Sequence, residues 1–452
     1  MSFITDKQTL DDLNLLGKYK GNSIFNLFDH TSTRGGAKIL EDMFQHPLTD
    51  AEAINQRTAL LKFFQAGAFS FPVSKELCEE VEQYLSSAGA SGIAATTWMM
   101  LRHKAMRLIA ADQQYERCRQ GILSAISLIR QVKDFMEMAG RQPDATVFGQ
   151  SLHAIRRICG SAPILKLLQQ APGADMGFVR QVQYDHLLRH TGRQDLEELL
   201  HILYEVDVYI AVSRAAAARN FGYATALPFR EHANGISMKN VAHPQLPGAV
   251  ANSVSIDSDR NLVFLTGANM AGKSTFMKSC GIAIYLAHMG FPVAVEEMIF
   301  SVQDGIYTSI NVPDNLDMGY SHFYAEVLRV KKVAEEVSRG RNLVIIFDEL
   351  FKGTNVKDAY DATVAVTEAF GENRNCHFIV STHIVEAGQT LQERSSNMQF
   401  LYFPTIMERQ TPRYTYRLEA GISADRHGMM IIRNEGIVEI IKGKKTDLPI
   451  LS

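Results

Sequence analysis

The sequence predicts a multidomain protein: an all-α N-terminal domain over residues 1–222, followed by an α/β domain over residues 223–452. Three observations carry this. The chain has 452 residues, too many for one ordinary core. Residues 74–220 show helical periodicity and few strand signals. After residue 222, short apolar runs alternate with helical stretches, the pattern of a mainly parallel sheet.

Taken in order, Thr33 is placed to cap a helix from about Gly36 to Phe44. His46-Pro47 should end it, because the residue before proline disfavours helix. Asp50 can cap the next helix, where Ala53, Ile54, Leu60, Leu61 and Phe64 suit a buried stripe. Further helices are expected over 75–85, 97–110, 113–138 and 146–159. Gly140 and Pro143 mark the exit from the third of these. A last long helix over 195–219 follows from the spacing of Leu196, Leu199, Leu200, Leu203, Val206 and Ile210. Asn220-Phe221-Gly222 then punctuates the chain. A strand is expected over 236–241, and buried-type strands over 261–266, 343–347 and 377–381.

The formal net charge of −3 excludes an evenly basic nucleic-acid binder, though not a local basic patch. Five cysteines, far apart and odd in number, argue against a disulfide framework or zinc site and fit a reducing compartment. The N-terminus lacks the basic-then-apolar pattern of a signal peptide. The most apolar stretch, residues 281–295, contains His288 and Pro292 and is too short to span a bilayer. A cytoplasmic protein with no membrane association is expected.

The chemistry centres on Gly267-Ala268-Asn269-Met270-Ala271-Gly272-Lys273-Ser274, which fits G-x-x-x-x-G-K-[ST] between a predicted strand and a predicted helix. Its glycines let the backbone curl so that N–H groups face phosphates, and the helix N-terminus adds partial positive charge. Lys273 would reach the β- and γ-phosphates of ATP and Ser274 would hold Mg²⁺, with Thr275 next in line. Asp348-Glu349 ends a predicted strand. Asp348 suits a Mg²⁺ anchor and Glu349 a general base for the attacking water. His383 follows another strand, as a γ-phosphate contact or as a structural polar residue. Three strands ending in polar groups at one sheet edge favour the contact, because ligands bind at that edge. The expectation is an ATPase using ATP and Mg²⁺.

With these residues in view, the chain resembles the MutS family of DNA mismatch repair ATPases. Residues 266–275 look like that family's T-G-P-N-M-G-G-K-S-T, with Asn269-Met270 the distinctive part. Residues 348–355 look like D-E-[IL]-G-R-G-T-S, and Ser381-Thr382-His383 like A-T-H. Tyr320-Ser321-His322-Phe323-Tyr324-Ala325-Glu326 is similar to the signature segment. His243-Pro244, Gly421-Ile422-Ser423 and His427-Gly428 match other stretches of the family's ATPase domain. In the N-terminal half, residues 28–36, residues 40–50 and Leu203-Tyr204-Glu205-Val206-Asp207 resemble the core and lever region.

The resemblance implies a helical core/lever domain and a P-loop ATPase domain of ABC type. It implies that Asn269 helps to place the attacking water, that Glu349 activates it and that His383 senses the γ-phosphate. Ser321 would act in trans across a homodimer, or else cap the helix that follows it. Ala268 and Ala271 replace a proline and a glycine of the family loop, and Phe351-Lys352 replaces Gly-Arg. No mismatch-reading domain is expected ahead of the core, nor a helical dimer module after it, so autonomous mismatch recognition is not expected. Arg102, Lys104 and Arg107 cluster on one predicted helix, and Arg156 and Arg157 form a second spot. These suit either phosphate neutralisation or a solvated surface. The leading expectation is an ATP-hydrolysing dimer acting on DNA by moving helical arms. The alternative is an ATP-switched dimer that recruits a protein partner.

Overall fold

The computed structural model describes residues 2–17, 22–87, 92–110, 113–171, 176–310, 322–408, 411–423 and 437–442. The chain divides into two compact units. One comprises residues 26–45 and 56–219; the other comprises 1–25, 46–55 and 220–452. The N-terminal 25 residues therefore pack with the sheet, whereas the sequence reading groups them with the helices.

The helices of the first half are α1 (Lys7–Asp12), α2 (Arg34–Gln45), α3 (Ala51–Gly67), α4 (Lys75–Ser86), α5 (Ile93–Ala110) and α6 (Gln114–Ala139), followed by α7 (Gly149–Cys159), α8 (Ala162–Leu168), α9 (Phe178–His186) and α10 (Arg193–Arg219). Helix α7 begins later than its spacing suggests, because a 3-10 turn, Ala145–Phe148, precedes it. That turn carries Phe148 into an aromatic cluster with Phe63 and Phe64. Helices α8 and α9 have no counterpart in the sequence reading; they are too short for a periodic signal to accumulate. The apolar stripe of α10 is buried as expected.

Two segments singled out separately in the sequence meet in the helical unit. Asp207 on α10, 1% exposed, accepts from the Thr33 backbone N–H at 2.8 Å and from the Thr33 hydroxyl at 2.8 Å. Thr33 Oγ1 in turn accepts from Gly36 N–H at 2.9 Å, so it does cap α2. Gly35 and Gly36 are required by this close approach. A Cβ at Gly35 would lie 2.5 Å from the Tyr204 ring, and one at Gly36 2.5 Å from Asp207 Oδ2.

The second unit holds strands β1 (Gly222–Leu227), β2 (Gly235–Val241), β3 (Asn252–Asp257), β4 (Leu262–Gly267), β5 (Pro292–Val293), β6 (Glu297–Ser301) and β7 (Gly305–Ser309), then β8 (Leu343–Phe347), β9 (His377–Ser381), β10 (Met398–Phe403), β11 (Thr405–Glu408), β12 (Thr411–Tyr414) and β13 (Glu419–Ala420). Its main sheet has the order β13-β10-β4-β9-β8-β7. Every pairing from β10 to β7 is parallel; β13 alone runs antiparallel at one edge. A second sheet has the order β3-β2-β6-β1-β5, and β11 pairs with β12. Helices α11 (Lys273–His288), α12 (His322–Val337), α13 (Val356–Gly371) and α14 (Val385–Arg394) accompany the strands. Helix α11 is buried nearly all round, which explains why residues 281–288 are apolar without spanning a membrane. No helix among the described residues is long and apolar enough to cross one.

The N-terminal segment runs beside β7. Ile4 bridges Gly305 in parallel, and a Cβ at Gly305 would fall 2.2 Å from the Ile4 carbonyl oxygen. Asp6 accepts from Thr9 N–H at 3.0 Å as the cap of α1 and pairs with Arg329 and with Lys332 Nζ at 2.7 Å. Burial works against the Asp6 charge, but the two cations outweigh it and hold its carboxyl well below its ordinary value of 3.8. A depressed folded pKa means that this stabilisation is complete above about pH 4 and drains away as pH falls below it. Asp6→Asn keeps a capping side chain but strips the carboxylate from Arg329, which is 6% exposed. The expected loss is about 3 kcal/mol at neutral pH, shrinking as the pH falls below about 4. Urea unfolding of both proteins on either side of that pH measures it.

Candidate active site

Strand β4 delivers residues 267–274 to the carboxyl edge of the main sheet, and α11 leaves from that loop. Gly267 and Gly272 take φ of +138° and +106°, which side chains rarely adopt. Met270 at φ +67° is the non-glycine exception, and it is 79% exposed. No side chain caps the N-terminus of α11. Its first N–H groups therefore remain suited to an anion.

Lys273 is 5% exposed. Its ammonium donates to the carbonyls of Gly267 at 2.8 Å and Ala268 at 3.1 Å, and it forms no ion pair with a described residue. Burial pushes its pKa down, while Asp348 and Glu349 pull it up from nearby. A buried cation satisfied only by carbonyls is suited to an anionic ligand, because no direct partner cancels its charge.

Strand β9 lies between β4 and β8, so the ends of all three strands are neighbours. Ser381 joins them: its hydroxyl donates to Asp348 Oδ1 and accepts from Glu349 N–H at 3.1 Å. His383 Nε2 bonds Glu349 Oε1, and Lys352 Nζ bonds Glu349 Oε2 at 3.3 Å. The His383 hydrogen bond, together with the nearby cation, overcomes burial and lowers the Glu349 pKa to about 2. Glu349 and Phe351 both take positive φ, +53° and +60°. Phe351 stands where the MutS pattern has glycine, and its ring, 3% exposed, packs edge-on against Phe323 with centroids 6.1 Å apart. That burial compensates the backbone strain. Gly353 is needed beside it, since a Cβ there would lie 2.8 Å from Phe323 N.

Glu349 and residues 268–276, apart from Ala271, line one cavity of about 620 Å³, together with His243, Asn252 and Tyr416. Its size suits a nucleotide. Asn269 and Thr275 are exposed, and Ser274 is half-buried. Ser321 and His427-Gly428, the first of them expected to act in trans, lie outside the described residues. Asn252 and Tyr416 are absent from the sequence reading. Asn252 Nδ2 donates to the Tyr416 carbonyl at 3.0 Å, and Asn252 Oδ1 accepts from Leu418 N–H at 2.7 Å. The second bond joins residues 166 positions apart at one wall, and no local pattern signals it. Gly421-Ile422-Ser423 ends against the loop strand, with Ser423 N–H donating to Thr266 Oγ1 at 2.9 Å.

Ser274 and Asp348 offer a hydroxyl and a carboxylate for a divalent ion. Mg²⁺ takes few protein ligands, keeps waters and uses substrate phosphates, so this donor set fits it. No group of three or more His, Cys, Asp or Glu that could hold a metal occurs among the described residues.

The family model described as MutS domain III matches residues 8–213, and that described as MutS domain V matches residues 263–448. The chain belongs to the MutS family. A DNA mismatch repair protein MutS from Petrotoga mobilis is 27% identical over 283 residues, covering 60% of this chain and 33% of the relative. Those of Pseudothermotoga lettingae and Leuconostoc mesenteroides are each 21% identical. They cover 98% and 99% of this chain, and 66% and 62% of their own lengths. The chain thus spans about two thirds or less of these MutS relatives. These relatives are named as DNA mismatch repair proteins.

Proposed function

We propose that the chain is a MutS-type P-loop ATPase that binds ATP with Mg²⁺, hydrolyses it as a homodimer and acts on DNA through ATP-driven movement of its helical arms. The observation that carries the reading is the meeting, at one sheet edge, of a buried Lys273 with no ion-pair partner among the described residues, the uncapped start of α11 and the Asp348–Glu349–His383 group. The names of the relatives, DNA mismatch repair proteins, support the DNA half.

In this reading Lys273 and the loop N–H groups hold the β- and γ-phosphates, and the base packs toward Tyr416 and His243. Ser274 and Asp348 hold Mg²⁺, which when bound neutralises charge on the phosphates. Asn269 and Glu349 orient the attacking water. A carboxylate with a pKa of about 2 is a poor base, because efficient proton transfer needs a value nearer the working pH. Release of Glu349 from His383 and Lys352 would raise its basicity and free His383 to face the γ-phosphate. Loop and arm movements on ATP binding would supply that exchange. Ser321 of a second chain would complete the site, with a twofold dimer as the default arrangement.

The test combines phosphate release, mass by light scattering with and without ATP, and gel retardation with plain, mismatched and branched DNA. We expect Mg²⁺-dependent phosphate release, a doubling of mass with ATP, and retention of at least one DNA form. Transfer of phosphate to a small acceptor would overturn the ATPase reading. Turnover with no DNA retained at low salt would overturn the DNA half and favour a dimer that recruits protein.

A further inference from the structure

Trp98 is the single tryptophan of the chain, and it is 66% exposed on α5. The Arg102 guanidinium lies one turn on, over the indole, with its central carbon 5.9 Å from the ring centre. Two residues further, the Lys104 ammonium lies 5.1 Å from the centre of the Phe178 ring, at the start of α9. Val179 beside it is 66% exposed, and Arg180 is exposed as well.

Among the described residues of α5 and α9, the exposed charges of this surface are cations. Helix α5 contains no Asp or Glu. The acid of α9, Asp185, is buried and held by Arg189 at 2.8 Å. Glu116, in the first turn of the neighbouring α6, pairs with Arg119 at 3.7 Å. Among the described residues neither Arg102 nor Lys104 has a carboxylate partner. An ordinary solvated helix face mixes both signs and does not leave an indole in water.

The partner of such a face must present flat apolar surfaces and negative charge together. Unpaired nucleobases joined by phosphates do so. The bases of a duplex are stacked on each other and present no free face to an indole. An anionic membrane fits less well, because an interfacial helix keeps its cations on the face opposite its apolar residues. Here the cations lie on the rings themselves. We infer that the α5–α9 face binds single-stranded nucleic acid, with Trp98 stacking on a base and Arg102, Lys104 and Arg180 neutralising phosphates. The inference rests on the proposed action on DNA and names the surface and the strand form.

The single tryptophan makes the test direct. The full chain is titrated with oligo-dT of about 20 nucleotides, a duplex of equal length, phosphatidylserine vesicles and polyglutamate. Tryptophan fluorescence is followed, with anisotropy of labelled DNA as an independent measure. Oligo-dT should quench the fluorescence saturably, and the duplex should not. Trp98→Ala should weaken binding of the single strand about tenfold, and Trp98→Phe should restore most of it. Arg102→Ala with Lys104→Ala should weaken it about tenfold and flatten its salt dependence. ATP turnover should be unchanged in all three variants, showing that they fold. If DNA binds equally well to the Trp98→Ala protein, this surface is refuted while action on DNA stands. If no nucleic acid binds the unaltered chain, both are refuted. Quenching by vesicles or polyglutamate, with none by oligo-dT, would overturn the inference and assign the face to a membrane or to an acidic protein.

Discussion

Lys273→Ala is expected to lose nucleotide affinity by about a hundredfold and turnover by at least about a further hundredfold. The first loss follows from removing a charge-assisted contact to the phosphates, since hydrogen bonds to charged groups exceed neutral ones. The second follows because charge moves onto phosphate oxygens as the bond breaks, and a fixed ammonium in a dry site stabilises that charge. The fold should survive. Among the described residues Lys273 forms no ion pair that would be left broken, and its ammonium bonds carbonyls of its own loop. Calorimetric titration with a non-hydrolysable ATP analogue measures the first effect, and phosphate release the second. A variant that binds and turns over normally would remove the loop from the mechanism.

Glu349→Gln should behave differently. Binding of ATP is expected within a few-fold of the unaltered protein, while turnover falls by about 10²–10⁴, the contribution typical of a positioned base. Glutamine keeps the shape and an acceptor oxygen for Lys352, but it cannot take a proton. The carboxylate is charged throughout the neutral range, and the His383 hydrogen bond, lowering its pKa to about 2, extends that charge into acid. Its contribution to stability is therefore complete above its ordinary value of 4.5 and lost as pH falls toward 2. The glutamine protein should lack this acid-sensitive component, which acid titration of unfolding would detect. Single-turnover measurements separate loss of chemistry from slow product release. Equal turnover in both proteins would move the base elsewhere.

Much of the site is legible in the sequence. The loop at 267–274 announces itself because local backbone geometry and phosphate chemistry restrict the same eight positions. Asp348, Glu349 and His383 are legible because each follows a short apolar strand, and parallel strands deliver such residues to one edge. Their hydrogen bonding is not. Ser381 reads only as part of a motif, yet its hydroxyl ties Asp348 to Glu349 across two strands. Phe351 reads only as a departure from the MutS pattern. In the fold it is a left-handed residue retained by a buried ring.

The sequence by itself determined the elements with a strong local period: the α10 stripe, the three buried strands, the caps at Thr33 and Asp50, and the phosphate-type loop. These depend on residues within a few positions of one another, where propensity and capping act directly. Only the tertiary structure decided that residues 1–25 join the sheet, that Asp6 meets Arg329 across 323 positions, and that Asn252 holds Tyr416 at the wall of the cavity beside the loop. Such pairings come from loop closure and burial between distant segments. No window of local sequence records them, because their partners are set by which apolar faces close on one another.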